Sequence, residues 1–248
     1  MEISLAAEKI AHIGPLPITN SMLLSWIAAG ILIVVSFLAT RRMSLVPRGV
    51  QNFFETVIEF LFNMVTEVIG NREQAKKYFP LIATIFLFII TNNWLGLLPG
   101  VGTIKIDTIH NGHTLAVPLL RSGNADLNTT LAIAVVTMFF VQLFGILAIG
   151  LVKYSKKFFN LKNPIYTMVG FLELISEFSR MISFTFRLFG NIFAGEVLLT
   201  IVAFLVPYIA PLPFFALELF VGLIQALVFS MLALVFIKMA ISGHEEAH

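Results

Sequence analysis

The chain has 248 residues, of which 58% are hydrophobic and only 12% charged, about half the charged fraction of an average soluble domain. A soluble globule needs a mostly polar exterior, so this composition predicts an integral membrane protein. The net charge of +2 and the dispersed basic residues argue against nucleic-acid binding. There is no cysteine, and the five histidines lie outside the long apolar runs, so we expect no bound metal or cofactor.

Three apolar runs are long enough to cross the ~30 Å hydrocarbon core of a bilayer as helices. They cover residues 21–40, 78–98 and 127–151. The first residues lack the basic region of a secretory signal, so we interpret the first run as a span that the protein retains.

The basic residues predict the orientation of these spans. Six lie between the first two spans and four between the third span and residue 163. The segment between the second and third spans holds only Lys105 and Arg121. Basic loops stay in the cytoplasm, so the N-terminus is predicted to lie outside. We expect the segment from Pro99 to Asp126 to be irregular, and residues 1–20 show no pattern that supports a prediction.

Residues 48–70 predict an amphipathic helix that lies along the cytoplasmic face of the membrane. At about 100° per residue, its polar side chains fall within one arc of about 120°. Pro47 suits the first turn of this helix and Gly70 its end. Because the polar face is mainly acidic, attraction to anionic lipid explains it poorly. The helix either contacts a partner subunit or is a plain interfacial helix.

Two long helices, residues 164–206 and 212–241, are predicted for the last third of the chain, with Pro207, Pro211 and Pro213 separating them. Both are apolar and yet contain charges. The polar groups of the first helix share one stripe, which contains Glu173, Glu177, Arg180, Arg187 and Asn191. Glu196 falls on the opposite side of that helix, while Glu218 and Gln225 share a face of the second helix.

An ionised side chain deep in a bilayer costs about 2.5–3.5 kcal/mol, so the charges at residues 173, 187, 196 and 218 need a compensating environment. The residues alone leave two interpretations open. In the first, Arg187 pairs with a carboxylate and locks two helices together, or extends its charge to the membrane surface. In the second, the charged groups line an ion or substrate pathway. Glu173 and Glu177 also fit a third description, as favourable anions near the start of a helix.

The eleven residues from Phe186 to Glu196, with the sequence Phe-Arg-Leu-Phe-Gly-Asn-Ile-Phe-Ala-Gly-Glu, resemble the signature of subunit a of F-type ATP synthases. The segments 92–99, 125–130 and 217–226 resemble other parts of the pattern of that family. The resemblance spans roughly residues 20–242, with these segments in the same order.

The resemblance implies an all-α membrane protein with about three ordinary spans, one interfacial helix and a C-terminal hairpin of two long tilted helices that faces a rotating ring of c subunits. Two aqueous half-channels, offset across the membrane, would each reach this ring. Arg187 matches the essential arginine between the half-channels, and Glu173 matches an acid near the cytoplasmic one. The positions implied for the outer half-channel are Asn191, Glu196, Glu218 and Gln225.

Many members of the family carry a histidine beside these acids, whereas this chain has none between residues 114 and 243. The carboxylates would therefore act with the two amide side chains and with water. Gly190 and Gly195 would let helix surfaces approach closely, or would simply reflect the higher glycine content of membrane helices.

The implied function is that of the stator subunit of the Fo proton channel, which couples transmembrane H⁺ flow to rotation of the ring. Implied partners are the c-subunit ring, b-type peripheral stalk subunits, the F1 head through the complex, and membrane lipid. The chain has no Walker-type phosphate loop, so nucleotide catalysis would belong to partner subunits. The predicted location is the plasma (inner) membrane of a bacterium, and the less favoured alternative is the inner or thylakoid membrane of an organelle. The choice between H⁺ and Na⁺ is left open, because ion coordination would lie mostly on the ring.

A proton-coupled secondary transporter is the alternative function. Such folds usually contain internal repeats, and this sequence has no long repeat. A purely structural membrane anchor is a third possibility, but it would leave Arg187 and the acids unexplained.

Overall fold

The structure is a computed structural model that describes residues 7–14, 16–41, 49–110, 113–158 and 164–242. Its helices are α1 (Asn20–Arg41), α2 (Val50–Ile69), α3 (Arg72–Gly96), α4 (Leu127–Ile149), α5 (Leu151–Phe158), α6 (Pro164–Leu205) and α7 (Pro211–Ile241). Its strands are β1 (Lys9–Ile13), β2 (Leu16–Thr19), β3 (Pro99–Gly102), β4 (Lys105–His110) and β5 (His113–Pro118).

Five of these helices, α1, α3, α4, α6 and α7, are long and apolar enough to cross a membrane. The prediction of an all-α integral membrane protein is thereby confirmed. With 42 residues, α6 would be about 63 Å long if straight, and the 31 residues of α7 would span about 46 Å. Both lengths exceed the ~30 Å hydrocarbon core, so these helices must tilt, bend or extend beyond it.

Hydrogen bonds between helix termini show which ends of the helices meet. Ser21 Oγ, at the start of α1, donates to Asp126 Oδ2, just before α4, over 2.9 Å. Trp94 Nε1, near the end of α3, donates to the carbonyl oxygen of Leu219 in the first part of α7 over 3.1 Å. We call this the hairpin end of the bundle, since the β4–β5 hairpin connects to it. We call the opposite end, where α3 begins and where α4 and α7 finish, the basal end.

The core lies where α3 packs against α7, with α4 between α6 and α7 and with α2 along α3. Leu61, Ile89, Leu188 and Leu234, from four different helices, are fully buried there. By contrast, the buried residues of α1 all lie in its first half. Most side chains of its second half, including Phe37, are exposed.

The amphipathic helix predicted for residues 48–70 corresponds to α2. Pro47 and Arg48 lie outside the described residues. Gly70 has φ 84°, and its N–H donates to the carbonyl oxygen of Thr66 over 2.8 Å. This left-handed conformation favours glycine, and it confirms the predicted end of the helix. The apolar side of α2 packs on α3 and α7, while Glu59 and Asn63 are exposed.

The expectation that residues 99–126 are irregular is wrong. Strands β4 and β5 pair antiparallel, from Lys105 opposite Pro118 to His110 opposite His113, and a 3₁₀ turn follows at Gly123–Ala125. The sequence Asn111-Gly112 between the strands is a strong hairpin signal that the interpretation overlooked. A second hairpin joins β1 to β2, in a region where the sequence supported no prediction.

Most helix bounds lie close to the predicted ones. The third span was predicted to reach residue 151, but α4 ends at Ile149. Gly150 has φ 90° there, which interrupts the helix before α5 begins. Helix α7 begins at Pro211, one residue before the predicted start, because proline suits a first helical position.

Candidate functional site

Arg187 lies on the outer surface of α6, near the middle of the helix. The residues around it that face the bundle, Phe184 and Leu188, are buried, while Arg187 itself and Asn191 one turn later are exposed. One guanidinium nitrogen, Nη2, donates to Ser183 Oγ over 3.4 Å. Among the described residues, no carboxylate forms an ion pair with Arg187. The structure therefore leaves this permanent cation on a face that is free to meet another molecule.

Glu173 lies far from that position, in the basal half of α6. Its carboxylate is 3.8 Å from the guanidinium of Arg180, and both side chains are about one quarter exposed or less. The guanidinium of Arg180 in turn lies over the ring of Phe236, 4.9 Å from its centroid. Glu173 therefore belongs to an ion pair on α6 that packs against α7.

A tyrosine on the short helix α5 lies close to this ion pair. The Tyr154 hydroxyl donates to the side-chain oxygen of Gln142 on α4. Burial disfavours the phenolate and raises the pKa of Tyr154 to about 12, and the negative charges of Glu177 and Glu173 act in the same direction. The tyrosine therefore stays neutral at physiological pH and serves as a hydrogen-bond donor between α4 and α5.

The hairpin end contains a cleft of about 990 Å³ between α6, α7, the end of α3 and the segment that follows α3. Apolar side chains form much of its wall. The polar side chains that line it include Asn93, Arg121, Glu196 and Glu218. The cleft thus brings together the two acids that sequence analysis assigned to an outer half-channel, together with a cation that it did not assign.

Glu218 is only 7% exposed and lies on α7 directly against α6. A Cβ atom at Gly195 would overlap the carboxyl group of Glu218. Gly195 therefore provides the space that the carboxylate occupies between the two helices. At Gly190 a Cβ atom would have no neighbour within 4 Å among the described residues, so within this part of the chain the close approach of two helices is seen at Gly195 and not at Gly190.

Glu196 has a different partner from Glu218. Its Oε2 lies 3.2 Å from Nε of Arg121, and Arg121 is only 7% exposed while Glu196 is 39% exposed. The guanidinium also lies over the ring of Phe193, 5.8 Å from its centroid. No described cation forms an ion pair with Glu218. Of the two acids in the cleft, Glu196 therefore has a cation that compensates its charge, and Glu218 has none among the described residues.

Arg121 is the residue that sequence analysis missed. It was counted only as one of two basic residues in an outer segment, and a loop arginine is ordinarily assumed to be solvated. The apolar setting of Glu196 was the one feature of the sequence that pointed to Arg121, because a nearby cation compensates the cost of a carboxylate in such a setting. The pairing joins residues 75 positions apart, so helical spacing could not reveal it.

The other predicted site residues do not line the cleft. Asn191 is exposed on the Arg187 face of α6, and Gln225 is half-buried on α7. In the part of the chain that the structure describes, neither makes a hydrogen bond to Glu196 or Glu218. The same part contains no group of three histidine or carboxylate side chains that could hold a metal ion.

A buried hydrogen-bond network supports the wall of the cleft. Asn93 Nδ2 donates to the carbonyl oxygen of Gly222 over 2.9 Å, and Asn124 Nδ2 donates to Asn93 Oδ1 over 2.7 Å. Ser25 Oγ of α1 donates to Asn92 Oδ1 over 3.2 Å. These bonds tie α1, α3, α7 and the 3₁₀ turn together, so the position of Glu218 on α7 is held from several sides.

Gly195→Ala is expected to destabilise the folded chain by about 1–3 kcal/mol, because the added methyl group overpacks the contact with Glu218. Gly190→Ala is the matched control, since it adds the same group to open space and favours the helix. Denaturant unfolding of the full chain in detergent micelles measures both. Equal free energies of unfolding for the two variants would contradict the tight fit at Gly195.

The sequence also matches known proteins over most of its length. The model of the family described as "ATP synthase A chain" matches residues 22–238. A protein named ATP synthase subunit a from Moorella thermoacetica is 34% identical over 236 residues, which cover 95% of this chain and 97% of the relative. A protein of the same name from Geotalea daltonii is 38% identical, over 90% of this chain and 87% of its own length. Another from Trichlorobacter lovleyi is 34% identical, over 99% of this chain and 96% of its own length.

Proposed function

Since this chain belongs to the ATP synthase subunit a family, we propose that it is the stator subunit of the Fo proton channel and that it conducts protons to and from a ring of c subunits. The hairpin-end cleft with Glu196 and Glu218 is the proposed outer half-channel. Arg187 is the proposed charge barrier between this half-channel and a second one that opens at the basal end. Membership of this family favours the stator function over the alternative of a proton-coupled secondary transporter.

The observation that carries the proposal is the spacing of charges along α6. Arg187 is exposed at the middle of the helix, and Glu196, the acid of α6 that lines the cleft, lies nine residues further on, a rise of about 14 Å. A proton that enters the cleft therefore reaches the level of the ring carboxylates on one side of Arg187 only. This offset is the geometry that a rotary proton path requires.

The chemistry at Arg187 follows from its permanent charge. A ring carboxylate stays protonated while it faces lipid, because burial of its charge is costly. Opposite Arg187 its ionised form is favoured, so the proton leaves into one half-channel and another is taken up from the other. Arginine suits this position better than lysine, since its pKa remains above ~12 whereas a buried lysine readily loses its proton. The membrane potential supplies about 2.3 kcal/mol per charge per 100 mV.

The ion pair with Arg121 divides the roles of the two acids. Arg121 compensates the charge of Glu196, which would then fix one wall of the cleft and orient water. Glu218, which has no described cationic partner and lies where α6 and α7 meet, is the proposed proton-exchanging group. Asn191 on the exposed face and Gln225 on α7 would assist beyond the cleft, and Glu173 would act near the basal half-channel while it is held by Arg180.

The whole chain is proposed to form one membrane domain in a bacterial plasma membrane, with its N-terminus outside. The relatives named above are bacterial proteins. In this orientation α2 lies along the cytoplasmic surface, and its exposed acidic face is the proposed contact with the b-type stalk. Nucleotide catalysis belongs to the F1 head, which this chain reaches through the complex.

A photoactivatable amino acid at position 191 is expected to capture the c subunit in the assembled complex, because Asn191 shares the exposed face of Arg187. The same amino acid at Asn63 is expected to capture the b-type stalk instead. Phe37, exposed on the second half of α1, is the control position. Mass spectrometry of the cross-linked products identifies the partner. Capture of the ring from position 37 but not from position 191 would contradict the assignment of the α6 face.

A further inference from the structure

The basal end contains a second cavity, of about 700 Å³, that the proposed function does not use. It lies where α3 begins and where α2, α4 and α7 end. One part of its lining is apolar and includes Ile69, Phe144 and Leu147, and another part is polar and includes Gln74, Lys77, Tyr78, Lys238 and Ser242. All of these residues lie within about six positions of a helix end, or about 9 Å along the helix axis. The cavity therefore sits at the level where a bilayer passes from acyl chains to headgroups.

Two lysines give this cavity a positive charge. Lys77 and Lys238 are both exposed, and neither forms an ion pair with an acidic side chain in the described part of the chain. The neighbouring Lys76, in contrast, is 2.6 Å from Glu73 and does not line the cavity. The charges of Lys77 and Lys238 are thus available to a ligand.

Tyr78 provides a second and independent observation. It is only 8% exposed, and its ring packs edge-to-face on Phe144 at a centroid distance of 5.0 Å. Buried tyrosines ordinarily find a hydrogen-bond partner for the hydroxyl group. Among the residues that the structure describes, the Tyr78 hydroxyl has none, and the side chain lines the cavity. A hydrogen-bond donor therefore lines the same cavity as the two lysines.

We propose that this cavity binds the headgroup of an anionic phospholipid. Two ammonium groups and a phenolic hydroxyl match the oxygens of a phosphodiester, and basic pockets between helix ends are suited to such headgroups. The apolar wall continues from these groups along Leu147, which is 71% exposed and offers a surface for an acyl chain. A free phosphate ion would use the lysines but would leave this apolar wall uncovered.

The test uses the complete complex reconstituted in phosphatidylcholine vesicles that contain a small fraction of a photoactivatable lipid. One preparation carries the photoactivatable group on phosphatidylglycerol and the other carries it on phosphatidylcholine. Peptide mapping by mass spectrometry locates the labelled residues. We expect phosphatidylglycerol to label residues 144–148 and 241–242 at least fivefold more than phosphatidylcholine does, since a single basic side chain near the membrane surface confers a preference of about fivefold.

Variants of the cavity side chains distinguish recognition of the lipid headgroup from labelling by a lipid that is merely close to the protein. Lys77→Gln combined with Lys238→Gln is expected to reduce labelling by phosphatidylglycerol to the phosphatidylcholine level, and Lys76→Gln is expected to leave it unchanged. Tyr78→Phe keeps the ring contact with Phe144 and removes only the donor, so it is expected to weaken labelling without disturbing assembly. Wild-type labelling in both the double variant and the tyrosine variant would overturn the proposal.

Two further outcomes would also overturn it. Equal labelling by the two lipids would show that the cavity does not recognise the anionic headgroup. Loss of labelling on addition of millimolar inorganic phosphate would show that a free anion is the ligand. Because ring capture from position 191 is measured separately, failure of this lipid test leaves the proposed proton path unaffected.

Discussion

Arg187→Ala is expected to abolish proton-driven ATP synthesis while the complex still assembles. The side chain is exposed, makes one long hydrogen bond to Ser183 and forms no ion pair among the described residues, so its loss costs little folding energy. Its charge, however, is the only permanent one that the described α6 presents on its mid-helix outer face. In the proposed mechanism, a ring carboxylate that leaves the lipid would then have no compensating cation.

The measurement is ATP synthesis by the complex in vesicles under an imposed proton gradient, with subunit content determined on the same preparation. Ser183→Ala is the matched control, because it removes the hydrogen-bond partner and keeps the charge. Its synthesis rate should stay near that of the wild type. Near-normal synthesis by the Arg187→Ala complex would exclude the barrier role.

Glu218→Gln is expected to slow proton flux through the isolated membrane sector by about a hundredfold or more, the lower end of what a positioned proton-transfer group contributes. Glutamine keeps the shape that fits against Gly195 but cannot exchange the proton. Glu196→Gln is expected to slow flux less, because Glu196 is paired with Arg121. Flux is measured with a pH-sensitive dye inside vesicles after a potassium diffusion potential is applied.

Glu196→Gln also removes the carboxylate that pairs with the buried Arg121, which destabilises the fold by itself. The double variant Arg121→Gln/Glu196→Gln removes both charges and separates this structural cost from an effect on the proton path. Unchanged flux when residues 196 and 218 are both glutamine would refute the assignment of the cleft as a half-channel.

Sequence analysis predicted the elements that depend on long apolar runs. The gaps between charged residues locate α1, α3 and α4 to within a few residues, and the prolines after residue 206 separate α6 from α7. These predictions succeed because the bilayer imposes a minimum length and a low charge density on each span. The end of α2 was also predictable, since Gly70 adopts a conformation that few other residues tolerate.

The parts that were not predicted depend on contacts between distant residues. The β4–β5 hairpin was not predicted, because the segment between the second and third spans was expected to be irregular. Its turn sequence, Asn111-Gly112, favours a hairpin. The ion pair between Arg121 and Glu196 could not be read from helical spacing, as the two residues lie on different elements. The residues alone left Glu173 open between a pathway and a favourable anion near a helix start, and the resemblance implied a place near the cytoplasmic half-channel. Its ion pair with Arg180 depends on a side-chain geometry that periodicity does not specify.

The fit between Gly195 and Glu218 has a consequence for how such chains diverge over evolutionary time. The carboxyl group fills the volume that any side chain at position 195 would need, so neither position can change freely while the other stays constant. A descendant that acquires alanine or serine at position 195 would need a shorter residue at 218, or an acid relocated to another turn. Substitutions at these two sites should therefore arise in correlated pairs, although the positions are 23 residues apart in the chain.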